Sequence, residues 1–181
     1  MTNPLDSIWT KLQAMIEEDE DAPLHVGEAM LSWTYLTAMK DLQRYEEIGL
    51  NTTTDNEVKD ILQDAYKLCE SQTKQLEDLL TKEGVPLPDN APQKPKSSPD
   101  DVPPGVKGTD NEITNGLSVK IAAAIVECAS GQSQAIRNDI GKMWFEFQTE
   151  LLTFGMKLKG LMKKRGWLKV PPYYIPPGKI N

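Results

Sequence analysis

Residues 85–109 read Val85-Pro86-Leu87-Pro88-Asp89-Asn90-Ala91-Pro92-Gln93-Lys94-Pro95-Lys96-Ser97-Ser98-Pro99-Asp100-Asp101-Val102-Pro103-Pro104-Gly105-Val106-Lys107-Gly108-Thr109. Seven prolines in 25 residues favour extended backbone and cannot pair into a sheet. Neighbouring antiparallel helices in a bundle need only about 2–8 linking residues. A link this long, at up to about 3.3 Å per residue, can run the full length of a long helix. It therefore predicts a crossover that carries the chain to the opposite end of a bundle.

Helical patterns flank it on both sides. Upstream, Thr54-Asp55-Asn56-Glu57 reads as a capping box. Val58, Ile61, Ala65, Leu68, Gln72, Leu76 and Leu79 then mark an inner face, which Gly84 and Pro86 terminate. An earlier helix is expected from Ala22 to Ile48, capped by Asp21 and closed by Gly49. Its predicted seam is Leu24, Leu31, Ala38 and Tyr45, interleaved with Glu28, Tyr35 and Leu42. Downstream, Thr109-Asp110-Asn111-Glu112 is a second capping box, followed by Ile113, Leu117, Ile121, Ala124, Cys128 and Ala135. This helix ends either at Gly131 or near 136–139, and the second choice gives helices of more equal length. The last helix carries Ile140, Trp144, Phe147, Leu151, Phe154, Leu158 and Leu161 without a polar interruption and ends at Gly166. Asn3-Pro4-Leu5-Asp6 opens a short leading helix over 4–17, and the proline-rich residues 167–181 should lie extended.

The expected class is all-α: a ferritin-like antiparallel four-helix bundle, up-down-down-up. It divides into a leading segment 1–21, a bundle 22–166 with its crossover at 85–109, and a tail 167–181. One domain suits 181 residues. The formal net charge of −7 argues against generic nucleic-acid binding. No apolar run approaches the roughly 18–20 residues of a membrane span, so no membrane insertion is expected. The N-terminus lacks the basic and apolar regions of a signal peptide, and Cys69 and Cys128 make no disulfide framework; a reducing, cytoplasmic setting follows.

Chemistry is sparse. Di-metal bundles use a Glu from each of two helices and Glu-x-x-His from each of the other two. The chain has one histidine, His25, and it does not stand three residues after a glutamate; Met143, Thr149 and Thr153 take the matching places around Glu146 and Glu150. Glu28, Glu127 and His25 remain the weak metal candidates, and paired boundary carboxylates are the better reading of the two acids. No cofactor and no catalytic residue is assigned. Both cysteines fall on apolar faces and read as core. Residues 1–90 hold 19 acidic and 7 basic residues, and residues 91–181 hold 8 and 13. The acidic run 17–21 and the basic cluster 157–165 suit either head-to-tail association or, more simply, helix-dipole complementation.

Leu24-His25-Val26-Gly27-Glu28-Ala29 with Trp33, then Gly84-Val85-Pro86-Leu87-Pro88, then Lys164-Arg165-Gly166-Trp167-Leu168 with Pro171-Pro172-Tyr173-Tyr174, occur in order over residues 22–178. Together they resemble a domain-of-unknown-function family of endospore-forming bacteria that often carries two bundles per chain and is distantly similar to spore coat protein F. The resemblance implies a ferritin-like fold without iron chemistry. It also implies a non-catalytic structural or assembly role on the forming spore, with other coat or sporulation proteins as partners. The alternative is a ligand-binding or vestigial metal-binding bundle. Double-bundle relatives, and apolar residues beyond the seams (Trp33, Tyr66, Met143, Phe145, Met156 and Met162), lead to the expectation of a homodimer. Crossover, leading helix and tail compete to cover the same residues.

Overall fold

The computed structural model describes residues 22–174 and 177; the leading helix, the acidic run 17–21 and most of the segment after Tyr174 lie outside these. The described residues form four long α-helices and one 3-10 turn at Pro99–Asp101, with no strand among them. We label the helices α1 (Val26–Leu50), α2 (Asn56–Lys82), α3 (Asp110–Gln134) and α4 (Asn138–Lys164). α1 packs chiefly on α2 and α3 chiefly on α4, with lesser contacts of α1 on α3 and α2 on α4.

Local chemistry sets most of the boundaries. At α3 the predicted box forms: Thr109 accepts from the Glu112 amide, and Glu112 accepts from the Thr109 amide at 2.8 Å. Thr109→Ala should cost about 1 kcal/mol in a denaturation experiment. α2 and α4 both end in Schellman motifs. Gly84 (φ 71°) and Gly166 (φ 72°) supply the left-handed residue. The next amides, Val85 and Trp167, donate back to Leu80 and Met162, each at 2.8 Å. The α3–α4 turn falls at Ala135–Arg137, the second of the two predicted places.

Two predicted caps are corrected. α1 starts at Val26, not Ala22, because His25 forms the box with Glu28. α2 is capped by Asp55 rather than Thr54, since the Asp55 carboxylate reaches the Glu57 and Val58 amides at 2.9 and 3.2 Å. Gly49 is also not a left-handed terminator. It lies inside α1, where an added Cβ would stand 2.9 Å from Leu62 Cδ1, so its role is close approach of α1 to α2.

The first seam of α1 shifts by one residue. Ser32, Met39 and Glu46 are buried beside Glu28, Tyr35 and Leu42, whereas Ala38 is exposed and Leu31 and Tyr45 only half-buried. α4 follows its predicted stripe, with Met162 replacing Leu161 as the last buried residue. The core centres on Tyr35, Trp144 and Phe147. Tyr35 meets Trp144 edge-on at 5.1 Å and stacks on Phe147 at 6.1 Å. Gly131 leaves room for the indole: a Cβ there would come 2.5 Å from the Trp144 ring. Gly131→Ala should therefore cost about 2 kcal/mol by overpacking. Unchanged stability in urea titration would mean that α3 and α4 can part freely.

α3 is the one described helix long and apolar enough, by length and composition, to cross a membrane. That composition includes the exposed Val119 and Val126 as well as buried residues. Its inner stripe, Ile113 to Cys128, is buried in the bundle.

Candidate functional site

Buried polar side chains occur at several levels of the bundle, and two of these levels hold buried charged residues. The first is the end where α1 begins. Glu28 is 1% exposed. Its Oε1 accepts from the backbone amides of Ile136 and Arg137 at 2.8 and 2.9 Å. Its Oε2 accepts from the His25 amide at 2.9 Å. Arg137, the residue before α4, makes no side-chain cap of its own, so α1 supplies the acceptor for this turn. The Arg137 guanidinium is 4% exposed and donates to Asp139 Oδ1 and Oδ2, to Glu83 Oε1 and to the Ala22 carbonyl. Donation to the Asp139 carboxylate raises the Arg137 pKa. Burial would raise that of Asp139, but the Arg137 hydrogen bonds outweigh it and hold the carboxyl below its usual range. All these oxygens serve structure: together they join the start of α1, the end of α2 and the α3–α4 turn.

The second level is the middle of the bundle. Tyr35 donates its hydroxyl to Gln72 Oε1 at 2.8 Å, and Cys128 Sγ donates to the Tyr35 oxygen at 3.5 Å. The Gln72 amide donates to Glu150 Oε2 at 2.8 Å and to the Phe147 carbonyl. A further acid, Glu46, is fully buried on α1. Its Oε1 accepts from the Cys69 thiol at 3.5 Å, while Oε2 is buried without a partner. Burial pushes the Glu46 carboxyl up to about 8; the Cys69 hydrogen bond opposes this without cancelling it. Burial likewise pushes the Cys69 thiol well up and that of Cys128 to about 11. Neither cysteine is an activated nucleophile, since activation requires a lowered thiol pKa.

The three predicted metal candidates do not converge. Glu28 is committed to three backbone amides, and His25 Nδ1 accepts from the Gly27 amide at 3.2 Å. Glu127 is exposed, lining an α1–α3 groove of about 230 Å³ with Lys120 and Asp41. No group of three or more His, Cys, Asp or Glu with metal-binding placement occurs among the described residues. The residues that sequence reasoning missed are Arg137 and Glu46. Only the seven-residue step Ser32-Met39-Glu46 could have revealed Glu46, and two of those three residues look like surface.

The basic cluster is used within the chain. Lys157 pairs with Asp64, Lys164 with Glu57 at 2.6 Å, and Arg165 with Asp55 and Glu57 at 2.8 and 2.6 Å. The end of α4 thus lies on the start of α2, where its cations meet first-turn and capping carboxylates. That leaves Lys159 and Lys163 as the exposed remainder of this cluster for any head-to-tail contact.

A crystal structure from Bacillus halodurans C-125, described as a candidate spore coat protein, matches with a TM-score of 0.85 and 34% identity, over 87% of this chain and 99% of that one. The uncharacterized protein YvdQ of Bacillus subtilis strain 168 is 31% identical over 156 residues, 86% of this chain and 92% of its own length. A fragment of a DUF305 protein from Deinococcus radiodurans matches with a TM-score of 0.64 at 12% identity, over 78% of this chain and 99% of that one, which speaks to fold alone. The family described as protein of unknown function DUF3231 matches residues 15–180, nearly the whole chain. The expected kinship with an uncharacterised family of spore formers is therefore shown, and the chain belongs to DUF3231.

Proposed function

We propose that the chain is a non-catalytic structural or assembly protein of the spore coat, acting through protein–protein contacts. The observation that carries this reading is the likeness, over 87% of this chain and 99% of the other, to a protein described as a candidate spore coat protein. The polar groups at the start of α1 fit it, because Glu28 and Arg137 use their side chains to hold helix ends together. The protein is made in the cytoplasm and laid down on the forming spore, with a second copy and other coat or sporulation proteins as partners. It neither binds nucleic acid nor inserts into a membrane.

The scaffold we propose for this role is a single ferritin-like bundle, 22–166, running up-down-down-up, with residues 85–109 as its crossover. Three end-to-end meetings support that topology. The start of α1 holds the α3–α4 turn through Glu28, Tyr45 near the end of α1 donates to the Ile113 carbonyl at 2.8 Å, and the end of α4 pairs with the start of α2. Four hydrogen bonds support the crossover. Trp33 and Arg44 donate to the Pro86 and Ala91 carbonyls, Glu47 accepts from the Lys94 amide, and Asn51 donates to the Pro95 carbonyl. The link thus follows α1 from its second turn to its end.

Metal analysis of purified protein tests the absence of cofactor chemistry. The expected result is no stoichiometric iron, manganese or zinc. Stoichiometric metal, lost in both Glu28→Gln and Glu127→Gln, would establish the vestigial metal-binding reading instead.

A further inference from the structure

We infer that the outer face of the α3–α4 hairpin is the contact surface for a second copy of this chain; the inference rests on the assembly reading and assigns its surface. α3 contributes Val119 and Val126, 71% and 68% exposed, with Ala122 between them. α4 contributes Phe145, Leu152 and Met156, at 59%, 48% and 67%. These residues form one patch because the two helices are fixed in register. Gln148 bonds both Gln132 and the Ile125 carbonyl, and Gly155 faces Ile121. Residues 145 and 152 stand one heptad apart on the α4 side that faces α3, and residues 119 and 126 one heptad apart on the α3 crest.

Three observations select the occupant. The middle of the face carries little charge: Lys120 and Glu127 of α3 line the groove toward α1, Lys142 and Glu146 of α4 pair with each other, and Lys159 stands at the end of the patch, one heptad beyond Leu152. A strongly acidic or basic partner would find little complement there. The crossover hydrogen-bonds along α1, and the tail turns back to α3 near its start, where Asn115 donates to the Trp167 carbonyl; among the described residues neither covers the patch. Its area also suits a symmetric pair. The stated exposures amount to about 600 Å² per copy, so about 1,200 Å² in a two-fold dimer, above the roughly 1,000 Å² that a specific interface requires. A two-fold axis places the same patch on both sides.

Sedimentation of the full chain at micromolar concentration, in low and high salt, tests this beside Val126→Lys and Phe145→Lys. Both positions are exposed, so the variants should keep wild-type helicity by circular dichroism. The expected result is a dimer of about twice 20.2 kDa that survives high salt, as an apolar contact should. The dimer dissociation constant should rise at least 100-fold in either variant. A monomeric wild type, or a dimer indifferent to both substitutions, overturns the assignment. So does a monomer that becomes dimeric only when residues 1–20 are removed, which would give the face to the chain's own leading segment. Binding of the wild type to neutral phosphatidylcholine vesicles, lost in Val126→Lys, also overturns it. A monomer that still locates to spores would leave the assembly reading standing. A dimer that never reaches spores would do the reverse.

Discussion

Glu46→Gln is expected to stabilise the protein by about 4 kcal/mol at pH 9 while leaving stability near pH 4 almost unchanged. Glu46 is fully buried, and burial pushes its carboxyl up to about 8 from an unfolded value near 4.5. The folded state therefore holds a proton that the unfolded state releases first. A folded pKa above the unfolded one makes the folded state bind more protons across that window, so its stability falls as pH rises through it. The loss starts near pH 4.5 and is complete slightly above pH 8. Gln has the same shape without the charge, so the variant should lose this slope. Its amide puts a donor where Oε2 has no partner, which sets a small penalty at low pH. The check is urea unfolding of both proteins from pH 4 to pH 9. Parallel pH profiles would mean that Glu46 reaches solvent.

Glu28→Ala should destabilise by about 3–4 kcal/mol, with a fall of roughly 10 °C in Tm. The substitution leaves the amides of Ile136 and Arg137 without their acceptor, and it removes half of the α1 capping box. The loss should spread to the α3–α4 turn, more than a hundred residues away in sequence. Hydrogen exchange at Ile136 and Arg137 should quicken more than exchange in the middle of α2. Glu28→Gln should fall between wild type and alanine, because one carbonyl oxygen still accepts. A loss confined to the first turn of α1 would contradict the role assigned here.

These two acids also show how far the sequence could be read. The stops at Gly84 and Gly166, the cap at Thr109 and the α4 stripe were legible, because each depends on residues within one or two turns. The α1 seam was displaced because Ser32 and Glu46 look like surface residues, and only packing from other helices buries them. Glu28 was recognised as an inward-facing acid, but its partners are backbone amides, which no side-chain pattern encodes. Among the apolar residues noted beyond the seams, Met162 proved to be core and Trp33 a donor to Pro86, while Phe145 and Met156 are exposed. Sequence periodicity assigns a face, and which neighbour occupies it is decided by the other helices.

The central claim is that this bundle is a structural component of the spore. Localisation of a tagged copy in sporulating Bacillus cells tests it most directly. The account predicts signal that gathers at the forespore surface and stays with purified spores until the coat is extracted. Signal that remains diffuse in the mother cell, and is absent from extracted coat, would contradict it.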